Sequence, residues 1–168
     1  MRIYDHTGKL IAKFDYSKGE HLGSFRNVAY CKATNTAYVS TYVSSTHYEG
    51  VIYFGKNTSK MNTCSGNVYR NIFGSIVISA VEDSEEFTVS DCYENFPTYK
   101  FSTKGLTTYK LQIFSISIFN GVPYVRCRYH NTYYNNYDCR YLIGITGLYS
   151  NDIYCQAKNN PSTFVKVK

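Results

Sequence analysis

The densest chemistry in the sequence lies in residues 128–141, which read Arg-Tyr-His-Asn-Thr-Tyr-Tyr-Asn-Asn-Tyr-Asp-Cys-Arg-Tyr. Tyr129, Tyr133, Tyr134, Tyr137 and Tyr141 supply amphipathic rings. Asn131, Asn135, Asn136 and Asp138 supply amide and carboxylate partners, and Arg128 and Arg140 bracket the run. Tyrosine offers a large, stiff contact area at small entropic cost, and asparagine adds adaptable hydrogen bonding. Three kinds of partner suit that mixture. The rings can pack at a subunit boundary, or stack on a sugar whose hydroxyls meet the amides. They can also stack on bases of a single strand, helped by the arginines. Too few aliphatic residues are present for a core strand, so the tip of this segment is expected at the surface.

A second concentration is acidic. Glu82, Asp83, Glu85, Glu86, Asp91 and Glu94 fall within 82–94 with no base among them, in a chain whose net charge is +6. A calcium loop needs ligands at alternating positions and a turn glycine, and this block has neither. It reads as a charged hairpin tip, Glu82, Asp83, Glu85 and Glu86, available to dock on a basic face of a neighbouring copy. The bases elsewhere are scattered, which argues against a nucleic-acid footprint.

The residues that could perform catalysis are not arranged to do so. There is no G-x-S-x-G elbow, no phosphate-binding glycine loop and no H-E-x-x-H. His130-Asn131-Thr132 has the H-x-T form of two-histidine phosphoesterases but lacks its second copy. Cys127 and His130 lie three apart, which on a strand sends them to opposite faces. The six cysteines show no C-x-x-C pair and no zinc-finger spacing. Their even number permits three disulfides, whereas a chain made in a cytoplasm would keep them reduced and buried. No enzyme activity, metal or cofactor is expected.

The elements that must carry these residues are strands. Alternation of period two dominates, and no stretch of ten residues carries a helical stripe. Residues 3–5 and 10–14 flank an opening turn, 28–31 and 36–43 flank a second, and 75–81 and 86–92 flank the acidic tip. Residues 51–54 form a short strand, and 55–67 read as a long polar loop. In 109–130 the apolar phase slips between Ile113 and Phe114, the signature of a β-bulge. Asn120-Gly121 then specifies a tight hairpin, which pairs Phe119 with Val122 and Ile116 with Val125. That register places Phe114, Ile116, Ile118, Val125 and Cys127 on a core face. Strands are also expected at 140–146, 152–157 and 163–167. The total is ten to twelve short strands with little or no helix, in one antiparallel β-sandwich or jelly-roll-like domain over 1–168. No internal repeat is visible.

Composition narrows the setting. Residues with A/T-rich codons are favoured, but tyrosine exceeds isoleucine, 19 to 12, so codon bias alone does not explain the tyrosines. No apolar run is long enough for a membrane helix, and the N-terminus shows no signal-peptide core. The expectation is a non-enzymatic structural or adhesive component of a larger assembly, a virus or phage particle protein made in the host cytoplasm. Its partners are then other subunits, as a homo-oligomer or multi-protein particle. A carbohydrate- or receptor-binding module, with an extracellular location, is the second expectation, and a single-stranded nucleic-acid binder the third.

Overall fold

The structure is a computed structural model that describes residues 1–93, 98–105, 108–146, 153–157 and 164–167. At 99, 119, 138–143, 146 and the last two segments the description is of backbone. Among these residues regular structure is almost entirely strand, broken by two short 3-10 turns at Tyr16–Lys18 and Phe54–Lys56. The all-β, antiparallel, sandwich-like expectation holds.

The chain forms a two-stranded hairpin followed by three larger sheets, and every hydrogen-bonded neighbour is consecutive in sequence. The hairpin is β1 (Arg2–Tyr4) with β2 (Leu10–Lys13). The first sheet is β3 (Ser24–Cys31), β4 (Thr36–Val43), β5 (Thr46–Tyr53) and β6 (Thr58–Cys64). The second is β7 (Val68–Phe73), β8 (Ile76–Val81), β9 (Glu86–Asp91) and β10 (Tyr99–Ser102). The third is β11 (Gln112–Phe119), β12 (Val122–Asn131), β13 (Asn136–Thr146), β14 (Ile153–Ala157) and β15 (Phe164–Val167). Each sheet is therefore a meander.

Several expected turns form as their chemistry dictates. Asn120 and Gly121 adopt φ 48° and 71°, and Phe119 pairs with Val122 and Ile116 with Val125. The register of β11 on β12 slips between Ile113 and Ser115, which is the expected bulge. Pro123 lies opposite Ile118, beyond the first described pair of the β12–β13 ladder, Tyr124 with Gly144. Its missing N–H is tolerated there.

Three readings need correction. Residues 55–67 are not one long loop, because 58–64 form β6, paired along its length with β5. This is an outer strand, so its sequence lacks the apolar alternation of a core strand, and only Met61 reaches the core. At Gly50, opposite Met61, a Cβ would lie 2.0 Å from the Lys60 carbonyl oxygen, so β5 and β6 pair where no side chain fits. The core face of the third sheet keeps Val125 and Cys127, fully buried, with Ile116 packed against them. Phe114 instead lies on the opposite face beneath Arg126 and Arg128, because the bulge turns it outward, and Ile118, next to the Asn120-Gly121 turn, is exposed and outside the core.

The third correction is a repeat. β3, β7 and β11 begin at Ser24, Val68 and Gln112, an even spacing of 44 residues (24 to 68 to 112). Superposed at that interval, Phe25-Arg26-Asn27-Val28 matches Tyr69-Arg70-Asn71-Ile72, and Ile113-Phe114-Ser115-Ile116 is the third copy. The bulge recurs in two of the three copies: β3 slips between Phe25 and Asn27, as β11 does between Ile113 and Ser115, whereas β7 pairs with β8 in unbroken register. Four-stranded units recurring at 40–45 residues are the mark of radial blade architectures. Neighbouring sheets come closest along these first strands, β3 with β7 and β7 with β11.

Cores fill the spaces between layers in chain order. Ala12 and Phe14, at and just beyond β2, pack with Ala37, Val39 and Ile52 of the first sheet. Cys31, Val77 and Cys92 join the first sheet to the second. Ile76, Ile78, Phe87, Val89 and Phe101 meet Leu111, Ile113, Val125 and Ile145 between the second and third. Polar cross-links accompany them. The Arg70 N–H donates to Asn27 Oδ1 at 2.9 Å, and Val68 N–H donates to the buried Ser40 Oγ at 3.1 Å. One repeat later Asn71 Nδ2 donates to the Ile116 carbonyl at 3.4 Å. Arg70 also forms an ion pair with Glu49 and lies over the Tyr38 ring.

Replacing Asn27 with Ala leaves the Arg70 N–H without its acceptor between two sheets. The expected cost is about 1–2 kcal/mol, read as a lower urea midpoint at unchanged slope. An unchanged midpoint would show that the asparagine link contributes nothing.

Candidate functional site

The tyrosine-rich segment is the hairpin of β12 and β13, with its tip at 132–135. Asn131 builds the tip: its Oδ1 accepts from the N–H groups of Tyr133 at 3.1 Å and Tyr134 at 3.3 Å. This side-chain turn replaces a backbone one. Asn135 closes the loop at φ 48°, a conformation asparagine tolerates better than most residues. Tyr133 and Tyr134 are 85% and 67% exposed and meet edge to face with centroids 4.8 Å apart. Tyr137, half exposed, begins the return strand beside His130.

Strand alternation divides the predicted site. Val125, Cys127 and Tyr129 point into the core, whereas Arg126 and His130 point out. A register slip between Cys127 and Tyr129 marks a bulge at Arg128. The Arg128 guanidinium lies 4.3 Å from the Tyr137 centroid and donates to Asp83 Oδ1 at 2.8 Å. That hydrogen bond raises the arginine above its ordinary pKa, so its charge is fixed. Asn136 is exposed and pairs with Asn131 across the ladder. Asp138 pairs with Tyr129, but its side chain and that of Arg140 lie outside the described residues.

Tyr129 belongs to a neighbouring feature. Its ring stacks on Tyr109 with centroids 4.2 Å apart and planes 13° from parallel. Together with Lys110, Gln112, His130 and Thr132 these rings line a groove of 250 Å³. The contribution of Tyr109, Lys110 and Gln112 was not foreseen. They come from the connection into β11, which no local motif ties to a hairpin twenty residues away. A second cavity of 270 Å³, between the first two sheets, has the Arg70–Glu49 pair in its wall.

The acidic tip forms between β8 and β9 as expected, but it is engaged within the chain. Glu82 accepts from the Tyr69 hydroxyl at 2.8 Å and from Asn67 Nδ2 at 2.7 Å. Asp83 holds Arg128, and Glu85 lies 4.0 Å from the Lys110 ammonium. Backbone groups join them: Asp83 N–H donates to the Ile113 carbonyl and Ile113 N–H to the Ser84 carbonyl. Glu86 is exposed, and Glu94 lies outside the described residues. The tip thus binds the third sheet to the second.

Among the described thiols Cys127 is the one carried by the hairpin, and it is buried. Burial pushes the Cys127 thiol up to about 12, and it faces away from His130. Cys31, Cys64, Cys92 and Cys127 are all free, while the thiols of Cys139 and Cys155 are outside the described residues. Among the described residues no three His, Cys, Asp or Glu side chains gather as metal ligands, and no helix is long and apolar enough to cross a membrane.

No protein-family model matches the chain, and no curated protein matches it. The site therefore has to be read from its own geometry.

One linkage in that geometry titrates. Burial, followed by its hydrogen bond to Glu82, raises the Tyr69 phenol from 10.0 to about 12. A raised folded value means the stabilisation is complete below the unfolded pKa and is lost as pH climbs through the folded one. Wild-type protein is therefore expected to lose stability between pH 10 and about 12 more steeply than Tyr69→Phe. Parallel melting-temperature profiles for the two proteins would rule this linkage out.

Proposed function

We propose that the chain is a non-enzymatic structural or adhesive component of a larger assembly, of virus or phage particle type, whose outward contact is the β12–β13 tip. The observation that carries this reading is the tip itself: two tyrosines, more than two-thirds and four-fifths exposed, held by Asn131 above a rigid sheet. Exposed aromatic side chains cost solvation and are enriched where proteins meet partners. The acidic tip is committed to Arg128 and Lys110, so it supports the fold and the tyrosine tip is left as the contact.

The test is co-fractionation. Wild-type chain is expected in particle fractions from its source. A Tyr133→Ser/Tyr134→Ser/Tyr137→Ser variant, folded by circular dichroism, is expected to leave them. Wild-type chain absent from every particle fraction removes the reading.

The groove beside the tip favours a second reading, in which the tip binds a glycan. Stacked Tyr109 and Tyr129 give it an aromatic wall, and Gln112, His130 and Thr132 give it polar edges. Sugar rings need both. On a glycan array, wild type is expected to select a family of sugars and Gln112→Ala to lose at least about tenfold in signal. Uniform background for wild type excludes it.

A further inference from the structure

Two cysteines meet where the first sheet joins the second. Cys31 ends β3 and Cys92 follows β9, and with Val77 they make up the buried cluster between these sheets. Cys31 is fully buried and Cys92 is 8% exposed. The backbone fixes both positions. Cys31 pairs with Thr36 across the β3–β4 hairpin, and the Cys92 N–H donates to the Ser75 carbonyl at 2.7 Å. The chain beside them reaches the surface, since Lys32, Ala33 and Asn35 of the adjoining turn are exposed, as is Tyr93.

The two sulfurs differ in what surrounds them. The Cys92 thiol donates a hydrogen bond to the Cys31 sulfur, which also accepts from the Thr34 hydroxyl and from the backbone N–H groups of Thr34 and Ala33. Burial opposes a charge on Cys31, but these donors outweigh it, and the thiol falls below its ordinary pKa. Burial, followed by the hydrogen bond to Cys31 and its charge, pushes Cys92 up, so the shared proton stays on Cys92. Converging donors around one sulfur make a nest for a thiolate, the form of cysteine that reacts. The other described thiols lack this setting. Cys64 is more exposed, yet burial raises it, and burial raises Cys127 to about 12.

We propose that Cys31 and Cys92 are an oxidation site for hydrogen peroxide, which converts the two thiols into a disulfide between the first sheet and the second. The Cys31 thiolate attacks one peroxide oxygen. The O–O bond breaks, and the hydroxide that leaves takes a proton from solvent to become water. Cys31 is left as a sulfenic acid. The Cys92 sulfur then attacks the Cys31 sulfur, its proton leaves with the departing hydroxyl as a second water, and the S–S bond forms. Together the two thiols lose two hydrogens, and peroxide is reduced to two waters. Because Cys31 has no exposed surface, an oxidant hardly larger than water suits it better than a bulky disulfide. The bridge closes residues 31 to 92 into a loop, which restricts the unfolded chain and strengthens the fold.

Peroxide treatment of the reduced, folded chain tests this, with the remaining thiols then blocked and the peptides mapped by mass. The expected product is a Cys31–Cys92 bridge that dithiothreitol reverses, with a Tm higher by about 5–15 °C. Cys31 is expected to react at least about tenfold faster than Cys64, although Cys64 is the more exposed. In Cys92→Ser the sulfenic acid is expected to persist on Cys31, where dimedone captures it. Thr34→Val keeps both cysteines and removes one donor from the nest, so it is expected to slow the reaction of Cys31. A Cys64 that reacts first overturns the proposal, as does a bridge from Cys31 or Cys92 to any other thiol. Survival of Cys31 and Cys92 as thiols in treated wild type also overturns it.

Discussion

A sheet with no helix to cover it has two faces that must both be dealt with, and that constraint organises this chain. Each four-stranded meander buries one face on the sheet before it and the other on the sheet after it. The result has four layers, more than the two or three of an ordinary domain. Hydrophobic contact supplies the cohesion, but it is non-directional and would let sheets slide. Asn27, Ser40 and Asn71 fix the alignment, because each bonds a backbone group of a neighbouring sheet and so has a single correct register.

The same constraint explains the acidic block. The hairpin tip between the two inner strands of the second sheet sits where the third sheet begins, and it exchanges two backbone hydrogen bonds with Ile113. Its carboxylates then neutralise Arg128 and Lys110 from the next repeat. The ion pairs themselves are half exposed and contribute little energy. Their effect is on geometry: Arg128 is held between Asp83 and the Tyr137 ring, so the tyrosine hairpin is braced from the preceding repeat.

Local chemistry was legible in the sequence and long-range order was not. Asn120-Gly121, the Ile113 slip and the 82–85 tip are decided within a few residues, and all three form as read. β6 escaped notice because an outer strand needs no apolar face, and Thr58–Cys64 looks like any polar loop. The repeat escaped notice because its units share only four recognisable positions, and by the third copy arginine and asparagine have become Phe114 and Ser115. Of the candidate site, the exposed tip was evident from its composition. The groove was not, since Tyr109 and Tyr129 meet only once the third sheet is folded.

For the contact proposed above, the turn made by Asn131 bears on how fast and how selectively the tip would act. A loop that two side-chain hydrogen bonds have already ordered gives up little freedom on meeting a surface. Tyr133 and Tyr134 approach as one preformed wedge of two perpendicular rings. Such a wedge discriminates by shape: it fits a matching notch without rearrangement, and it cannot remould itself to a partner that lacks one.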